Sequence, residues 1–378
     1  MSSTPPSHVD RRAFLRGLAG IGGAALATAY ALPAWAESLD GRVDGLVLPR
    51  AWRDQIGLQL FTVRDRFPSD YAGTLEAVAK IGFKQVQPTM SYAGKTPAEV
   101  KAILDRTGLT APATHVSPPN GPDFEKTLDD YAMIGHKYTT VNVGGEGRGR
   151  GAGAGRGSGQ GPVYTGSGAA GGTAPGTAAG SPSSAPGSAA SAPSSPSVSS
   201  APAARPAPPP QTLDSVKRTA AALNDAGRIT QKHGIKVIVH NHTVEFGPLA
   251  DSSQRPYDVL LAETDPSLVA MELDIGWAKV AGADPFALFK QAPGRFEVWH
   301  VKDMTGLGAL AGKSMTERQR AAQIVPIGQG EIDYKSIFAQ APAAGLKYFF
   351  VEQDSAPQSG DSLAAAATSY KALANLLA

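Results

Sequence analysis

The chain has 378 residues and an almost balanced charge, with 35 Lys and Arg against 33 Asp and Glu, and it contains no cysteine. The lack of cysteine excludes disulfides, thiolate metal sites and a cysteine nucleophile, so any bound metal must be held by His, Asp or Glu. The basic residues form no patch with interleaved aromatic residues, which argues against a nucleic-acid partner.

Residues 1–36 have the features of an export signal. Arg11 and Arg12 stand just before Phe14-Leu15 and an apolar stretch rich in Ala and Gly, and Ala34-Trp35-Ala36 is a small-x-small cleavage site. This order predicts a twin-arginine signal peptide and a periplasmic location. An uncleaved N-terminal anchor is the alternative. No later segment has the ~20 apolar residues that a span needs, so we expect no membrane span after signal cleavage.

A second segment of unusual composition interrupts the chain. Residues 147–211 are almost entirely Gly, Ala, Ser and Pro, a composition that cannot bury enough apolar surface to offset the entropy of ordering it. This predicts a disordered insertion. A linker between two domains is the alternative, but residues 37–146 are short for a complete domain and residues 212–378 resume the same pattern. We therefore predict one domain in two parts.

Apolar runs alternate with helical patterns throughout these two parts. Eight runs are predicted as buried parallel strands: Ile56–Thr62, Gln85–Pro88, Ala111–His115, Thr139–Val143, Lys236–His242, Val269–Leu273, Glu297–Val301 and Tyr348–Glu352. Helices are predicted at Asp70–Ile81 with Ser69 as its cap, Pro97–Arg106, Asp123–Ile134, Thr212–His233, Asp284–Gln291, Tyr334–Ala341 and Asp361–Leu377. About 280 residues remain without the signal and the insertion, close to the ~250 of a (β/α)₈ TIM barrel. The sequence thus predicts an α/β fold of this kind.

Ionisable residues end four successive strands of the second part. His240 and His242 end the fifth, Asp274 follows the sixth, His300 and Lys302 end the seventh, and Glu352 and Asp354 end the eighth. In such barrels the chemistry lies at the C-terminal ends of the strands. A single histidine at a strand end is more often a core residue, but four such ends in succession favour a site. They predict a metal bound by His240, Asp274, His300 and Glu352.

Several short motifs, in a fixed order, make the chain resemble the sugar phosphate isomerase/epimerase family, within the xylose isomerase-like TIM barrel superfamily. The motifs are Ile56–Asp65, His240-Asn241-His242 with Glu245-Phe246, Leu273-Asp274, His300–Asp303, Gly328–Asp333 and Val351-Glu352. The resemblance implies that Asp274, His300 and Glu352 occupy the family's metal-ligand positions. His240 stands where better-known epimerases have a glutamate, and Trp277 replaces a histidine. A two-glutamate epimerisation is therefore in doubt.

The resemblance and the ligand types together predict a metal-dependent enzyme. Two imidazoles and two carboxylates favour Mn²⁺, with Co²⁺, Zn²⁺ or Fe²⁺ as alternatives, over Mg²⁺. The metal is expected to polarise the carbonyl of a sugar or keto-sugar while a base removes the neighbouring proton. Candidate catalytic residues are Glu352, Glu245 and Lys302, and candidate substrate-binding residues are Gln59, His115, His242, Trp277 and Lys302.

We expect reprotonation to follow, which makes the enzyme an isomerase or epimerase. The alternative is loss of a β-substituent, which would make it a lyase or dehydratase that acts on a keto-sugar or inosose at the same metal site. A non-catalytic periplasmic sugar-binding barrel is a further alternative. A multi-zinc phosphoesterase ranks last, because the chain has only 7 histidines. His136 and His233 are expected at the surface, and Glu146 is given no role.

Overall fold

A computed structural model describes residues 50–143 and 210–378. The predicted signal peptide, Glu146 and all but the last two residues of the predicted insertion lie outside the described residues. Gln211, at the end of that insertion, already belongs with the barrel, since its main-chain oxygen accepts a hydrogen bond from the nitrogen of Ala250 at 2.9 Å. Among the described helices, none has the length and apolarity required to cross a membrane.

Eight parallel strands form one sheet, as the sequence predicts. They are β1 (Gly57–Gln59), β2 (Gln85–Gln87), β3 (Ala113–Thr114), β4 (Tyr138–Thr139), β5 (Lys236–His240), β6 (Val269–Asp274), β7 (Val298–Val301) and β10 (Tyr348–Val351). Their order in the sheet is β2-β1-β10-β7-β6-β5-β4-β3. Main-chain hydrogen bonds from Val86 to Thr110 and from His115 to Pro88 join the two edges. The sheet is thus a TIM barrel, which confirms the predicted fold.

Eleven α-helices are present in the described residues. They are α1 (Tyr71–Ile81), α2 (Pro97–Thr107), α3 (Phe124–Ile134), α4 (Leu213–Thr230), α5 (Pro256–Glu263), α6 (Ile275–Ala281), α7 (Pro285–Gln291), α8 (Met315–Ala321), α9 (Tyr334–Ala339), α10 (Ala341–Ala344) and α11 (Ser362–Leu376). Side-chain oxygens cap the N-termini of several of them. At α1 the cap is Asp70, which accepts from the nitrogen of Gly73, so the prediction of Ser69 is wrong.

The largest feature that the sequence patterns missed follows β7. A short antiparallel hairpin, β8 (Asp303–Thr305) with β9 (Gln323–Val325), carries α8 in its loop. Because it follows a barrel strand, it lies at the C-terminal end of the barrel, here called the mouth. Its Gln319 Nε2 donates to Thr243 Oγ1 at 2.5 Å, which ties the hairpin to the loop after β5.

Alternation of side chains along the strands stacks the barrel interior in layers. Six buried residues from six strands pack together as one apolar cluster: Ala113, Tyr138, Ile238, Ala270, Val298 and Phe350. Two residues further along five of these strands stand ionisable side chains: His115, His240, Glu272, His300 and Glu352. The barrel interior therefore has an apolar layer of side chains and, between it and the mouth, a polar layer.

The expectation of a surface position is wrong for His136. Its side chain is fully buried; one ring nitrogen lies 2.8 Å from Tyr92 Oη and the other 2.5 Å from the main-chain oxygen of Ala111. A turn after α3 carries it inward, a position that helical periodicity does not show. His233 is partly exposed beside Asp129, as expected.

Candidate metal centre

Three side chains from three strands meet at the mouth. Asp274 ends β6, His300 lies in β7 and Glu352 follows β10, and one donor atom from each lies within 4.8 Å of the others. The closest approach, 2.7 Å, is between His300 Nδ1 and Glu352 Oε2, and Asp274 Oδ2 lies 3.9 Å from the same nitrogen. All three residues are buried. We call them the mouth group.

Asp274 is held in place by the change from strand to helix. Its Oδ1 accepts from the nitrogen of Trp277 at 2.8 Å and caps α6. The side chain of Asn241 binds the main chain of Asp274 twice, accepting from its nitrogen at 3.0 Å and donating to its oxygen at 3.2 Å. With Oδ1 used by the cap, Oδ2 is the oxygen presented to the mouth.

Lys302 brings a positive charge to this group. Its Nζ lies 2.8 Å from Asp274 Oδ2, 3.1 Å from Glu352 Oε2 and 2.7 Å from Asp354 Oδ2. The main chain of Lys302 is clamped by Tyr334 Oη, 2.8 Å from both its nitrogen and its oxygen. A Cβ on Gly276 would come within 2.7 Å of that oxygen, so this approach requires glycine.

The charges at the mouth depend on one another. Burial by itself would lower the pKa of Lys302, but the carboxylates of Asp274, Asp354 and Glu352 raise it well above the usual value. Burial would raise the pKa of Glu352, yet Lys302 and His300 hold it well below its ordinary range. Burial raises the pKa of Asp274 to about 6, although Lys302 opposes the shift. Glu352 is thus an ionised carboxylate beside a charged ammonium.

A second group lies deeper in the barrel and shares His300. Glu272 is completely buried, and its carboxylate faces His115 Nε2, His240 Nδ1 and His300 Nε2, the last two at 3.3 Å. Together these four residues offer donor atoms within 4.8 Å of one another. We call them the inner group. Burial lowers the pKa of His240 far below the usual value, and nearby His300 adds to the effect, so His240 is a neutral imidazole.

The mouth group fits a divalent cation. Asp274 Oδ2, His300 Nδ1 and Glu352 Oε2 are buried and converge, and Lys302 Nζ and the neighbouring members of the group are the only charges that pair with them in the described part of the chain. One imidazole nitrogen and two carboxylate oxygens are donors that Mn²⁺, Zn²⁺, Co²⁺ and Fe²⁺ accept.

The structure brings together three of the four predicted ligands. His240, the fourth, belongs to the inner group and turns its Nδ1 toward Glu272 rather than toward Asp274. His115, a predicted substrate residue, also belongs to the inner group, with a side chain 10% exposed. The four strand ends were expected to converge on one point, but the register of neighbouring strands pairs His240 with Glu272.

Two predicted substrate residues line the mouth. The rings of His242 and Trp277 lie 6.0 Å apart, and Lys302 Nζ lies 5.2 Å from the Trp277 ring. Burial, reinforced by the charge of Lys302, lowers the pKa of His242 to about 3. Both rings are partly exposed. They form an uncharged, half-buried surface beside the ammonium.

Glu245 and Gln59 have structural contacts instead. Glu245 is completely buried, and its Oε2 accepts from the nitrogen of His242 at 2.9 Å, closing the loop after β5. Gln59 is 1% exposed, accepts from the nitrogen of Phe61 and donates to Gln87 Oε1 at 2.7 Å. Both side chains would have to give up these contacts to act on a substrate.

Three residues near the site were given no role from the sequence: Gln87, Glu272 and Asp354. Glu272 and Asp354 each stand two positions from a predicted ligand, so alternation along the strand places them on the same face. Gln87 ends β2, a strand that carries no ionisable residue. The only feature of the sequence that could have indicated a role for Gln87 is its position at the end of a strand.

Comparison with known proteins agrees with the fold of this chain. The family model described as xylose isomerase-like TIM barrel matches residues 192–375, which are 184 of the 378 residues. A sugar phosphate isomerase/epimerase from Parabacteroides distasonis superposes with a TM-score of 0.56 at 20% identity, over 84% of this chain and 97% of that one. The chain thus shares the TIM-barrel fold of this solved structure. The IolI protein, solved with a bound zinc atom, has the same fold, with a TM-score of 0.53 at 12% identity over 85% of this chain and 98% of its own.

Curated relatives match a smaller part of the chain. Inosose dehydratase of Clostridium tetani is 30% identical over 132 residues, 34% of this chain and 43% of the relative. Inosose dehydratase of Salmonella typhimurium is 32% identical over 124 residues, 31% of this chain and 39% of the relative. The chain thus spans less than half the length of these relatives.

Proposed function

We propose that this chain is a divalent-metal-dependent enzyme that removes a proton next to the carbonyl of a sugar or keto-sugar and expels a β-hydroxyl as water. The mouth group carries this proposal, because one imidazole nitrogen and two carboxylate oxygens, all buried, converge within 4.8 Å of one another at the C-terminal end of the barrel. The similarity to proteins named inosose dehydratase supports the lyase outcome.

Asp274, His300 and Glu352 would hold the metal, with Mn²⁺ our first choice and Co²⁺, Zn²⁺ or Fe²⁺ as alternatives. When bound, the metal supplies positive charge that stabilises the developing charge on the substrate's carbonyl oxygen. Lys302 adds a fixed ammonium at the same place. The rings of His242 and Trp277 offer a surface on which a sugar ring can pack.

Glu352 is the candidate base, since its carboxylate is ionised and lies at the mouth. It takes the proton from the α-carbon, and the released electron pair forms the carbon–carbon double bond as the carbon–oxygen bond at the β-carbon breaks. The same proton, returned to the departing hydroxyl, lets water leave and restores the carboxylate. One acid–base group is therefore enough for elimination.

Epimerisation by two glutamates is less well supported by this site. Such a scheme needs a second carboxylate on the opposite face of the substrate, and His240 stands at the corresponding strand end. His240 faces Glu272 in the inner group, while Glu245 closes a loop. A sugar isomerase or epimerase, our expectation from the sequence, therefore becomes the second outcome to be tested.

The test begins with metal content and then compares products. Plasma mass spectrometry of the full chain is expected to find about one Mn, Co, Zn or Fe per chain, lost in Asp274→Asn. Asp333→Asn is the control: it makes the same chemical change at an N-cap, where asparagine caps equally well.

Keto-sugars and inososes are then incubated with the loaded enzyme. A product lighter by one water supports the lyase, and an unchanged mass with uptake of solvent deuterium indicates an isomerase or epimerase. Binding without turnover would make the chain a sugar-binding barrel.

We further propose that the chain is exported by the twin-arginine route and acts in the periplasm. The support is the order of Arg11-Arg12, the apolar stretch and Ala34-Trp35-Ala36. Cell fractionation tests this: the unchanged chain should appear in the periplasm in a shortened form, and Arg11→Lys with Arg12→Lys should leave a full-length chain in the cytoplasm. Equal export of both would contradict it.

A further inference from the structure

The amide of Gln87 lies between Glu272 of the inner group and His300, the residue that both groups share. Gln87 is completely buried at the end of β2. Its Nε2 donates to Glu272 Oε1 at 2.5 Å, and its Oε1 lies 2.7 Å from Gln59 Nε2 and 2.6 Å from His300 Nε2. All of its hydrogen bonds are thus made to fixed, buried partners.

The direction of these bonds follows from what each group can do. A carboxylate can only accept hydrogen bonds, so the amide nitrogen of Gln87 is the group that donates to Glu272. The amide oxygen is then the atom that faces Gln59 and His300. An oxygen only accepts, so His300 Nε2 must carry a proton and donate it. The other ring nitrogen, Nδ1, faces Asp274 and Glu352.

We propose that Gln87, oriented by Glu272, keeps a proton on His300 Nε2 and thereby reserves Nδ1 as the ligand atom of the mouth group. This inference rests on the metal site proposed above and assigns Gln87 as its positioning residue. Metal-bound imidazoles generally donate their second N–H to a partner that fixes the ring orientation. Here the partner is a neutral amide from a different strand, itself held by a buried carboxylate.

The chain offers a matched control two residues earlier on the same strand. Gln85 is also a buried glutamine of β2, but no hydrogen bond joins it to His300 within the described residues, and its Oε1 has no partner there. Replacing either glutamine by leucine removes one buried amide at nearly constant volume. Only Gln87→Leu removes the nearer acceptor of the His300 proton, which lies at 2.6 Å, against 3.3 Å for Glu272 Oε1.

The first measurement is the affinity of the metal-stripped full chain for Zn²⁺, by titration calorimetry. Gln87→Leu is expected to bind Zn²⁺ about 10- to 100-fold more weakly than the unchanged chain. Gln85→Leu should bind it with little change, and both variants should keep the unchanged circular dichroism. Equal affinities of Gln87→Leu and Gln85→Leu would overturn the proposal.

The second measurement needs no variant in its key step. In the Zn²⁺-loaded chain labelled with ¹⁵N-histidine, His300 is expected to show a proton on Nε2 and none on Nδ1; His300→Gln identifies the signal. A proton on Nδ1 would overturn the proposal, as would a second Zn²⁺ per chain that is lost in Glu272→Gln, because the inner group would then itself bind metal. Both measurements are independent of turnover, so a failure of the proposed reaction leaves them interpretable.

Discussion

The ammonium of Lys302 lies 2.8 Å from Asp274 Oδ2, the same oxygen that faces the proposed metal. The chain therefore places its own cation beside a donor of the mouth group. Asp354, 2.7 Å from Lys302 Nζ, offers the ammonium a second partner at the rim. In the metal-free chain, Lys302 thus neutralises the carboxylates of the mouth group. When a metal binds there, the pairing with Asp354 keeps the ammonium at the mouth.

Replacing Lys302 by methionine should separate metal binding from catalysis. Removing the ammonium leaves the carboxylates of Asp274, Glu352 and Asp354 without their counter-charge, so the affinity for Mn²⁺ should rise, by about 10-fold. The metal-free chain should lose about 3–5 kcal/mol of unfolding free energy, because buried carboxylates are left unpaired. Turnover should fall, since Lys302 stabilises developing charge.

Calorimetric titration with Mn²⁺ and urea unfolding test the Lys302→Met prediction. Lys290→Met, at an exposed position of α7, is the control and should behave as the unchanged chain. Weaker Mn²⁺ binding in Lys302→Met would show that Lys302 supports the metal site instead of competing with it.

Asp303→Asn should loosen the loop that follows the β8–β9 hairpin. Asp303 is buried, and its carboxylate accepts from the nitrogens of Gly328, Gly330, Ile332 and Met304 at 2.9–3.3 Å. In the asparagine variant, an NH₂ group replaces one of the two acceptor oxygens. This donor would then face main-chain N–H groups, which are also donors. We expect a loss of about 2–4 kcal/mol in unfolding free energy. Urea unfolding measures it, and Asp284→Asn at the exposed N-cap of α7 should cost far less. Equal losses in the two variants would contradict the role of Asp303.

His136 should contribute to acid lability. Burial lowers its pKa to about 4, against 6.5 for an exposed histidine. Between pH 4 and pH 6.5 this histidine is protonated in the unfolded chain but neutral in the folded one. Its contribution to the free energy of unfolding is therefore fully present above about pH 6.5 and is lost as the pH falls toward 4. The loss from this one group is about 3 kcal/mol. The unfolding free energy of His136→Asn, measured from pH 7 to pH 4, should fall less steeply than that of the unchanged chain. Parallel curves would exclude this role.

Deleting residues 147–209 should leave the barrel and its metal site intact. The deletion retains Gln211, whose main chain pairs with Ala250, and Thr212, which caps α4. Its thermal midpoint should shift by less than about 4 °C, equivalent to about 1 kcal/mol. Extending the deletion to residue 213 removes both contacts and should cost more. A large shift for the shorter deletion would show that the segment packs on the barrel.

Much of this architecture was predictable because it depends on local periodicity. All eight strands were expected near their observed positions, since buried parallel strands appear as apolar runs bounded by polar residues. Helices α5, α6, α8 and α10 and the β8–β9 hairpin were missed. Helix α6 begins directly at the end of β6, with Asp274 as both strand end and cap, so no break in the sequence separates the two elements.

The sequence by itself determined the barrel, the polar strand ends and the identity of the ionisable residues, because apolar runs mark the buried strands and alternation along a strand assigns each side chain to a face. Only the tertiary structure decided which of those side chains meet. Strand register pairs His240 with Glu272 and Asp274 with His300, and the length of the Lys302 side chain carries its charge to three carboxylates from neighbouring strands. Gln87 contacts residues 185 and 213 positions away. Such contacts depend on strand order and register, which no local pattern contains.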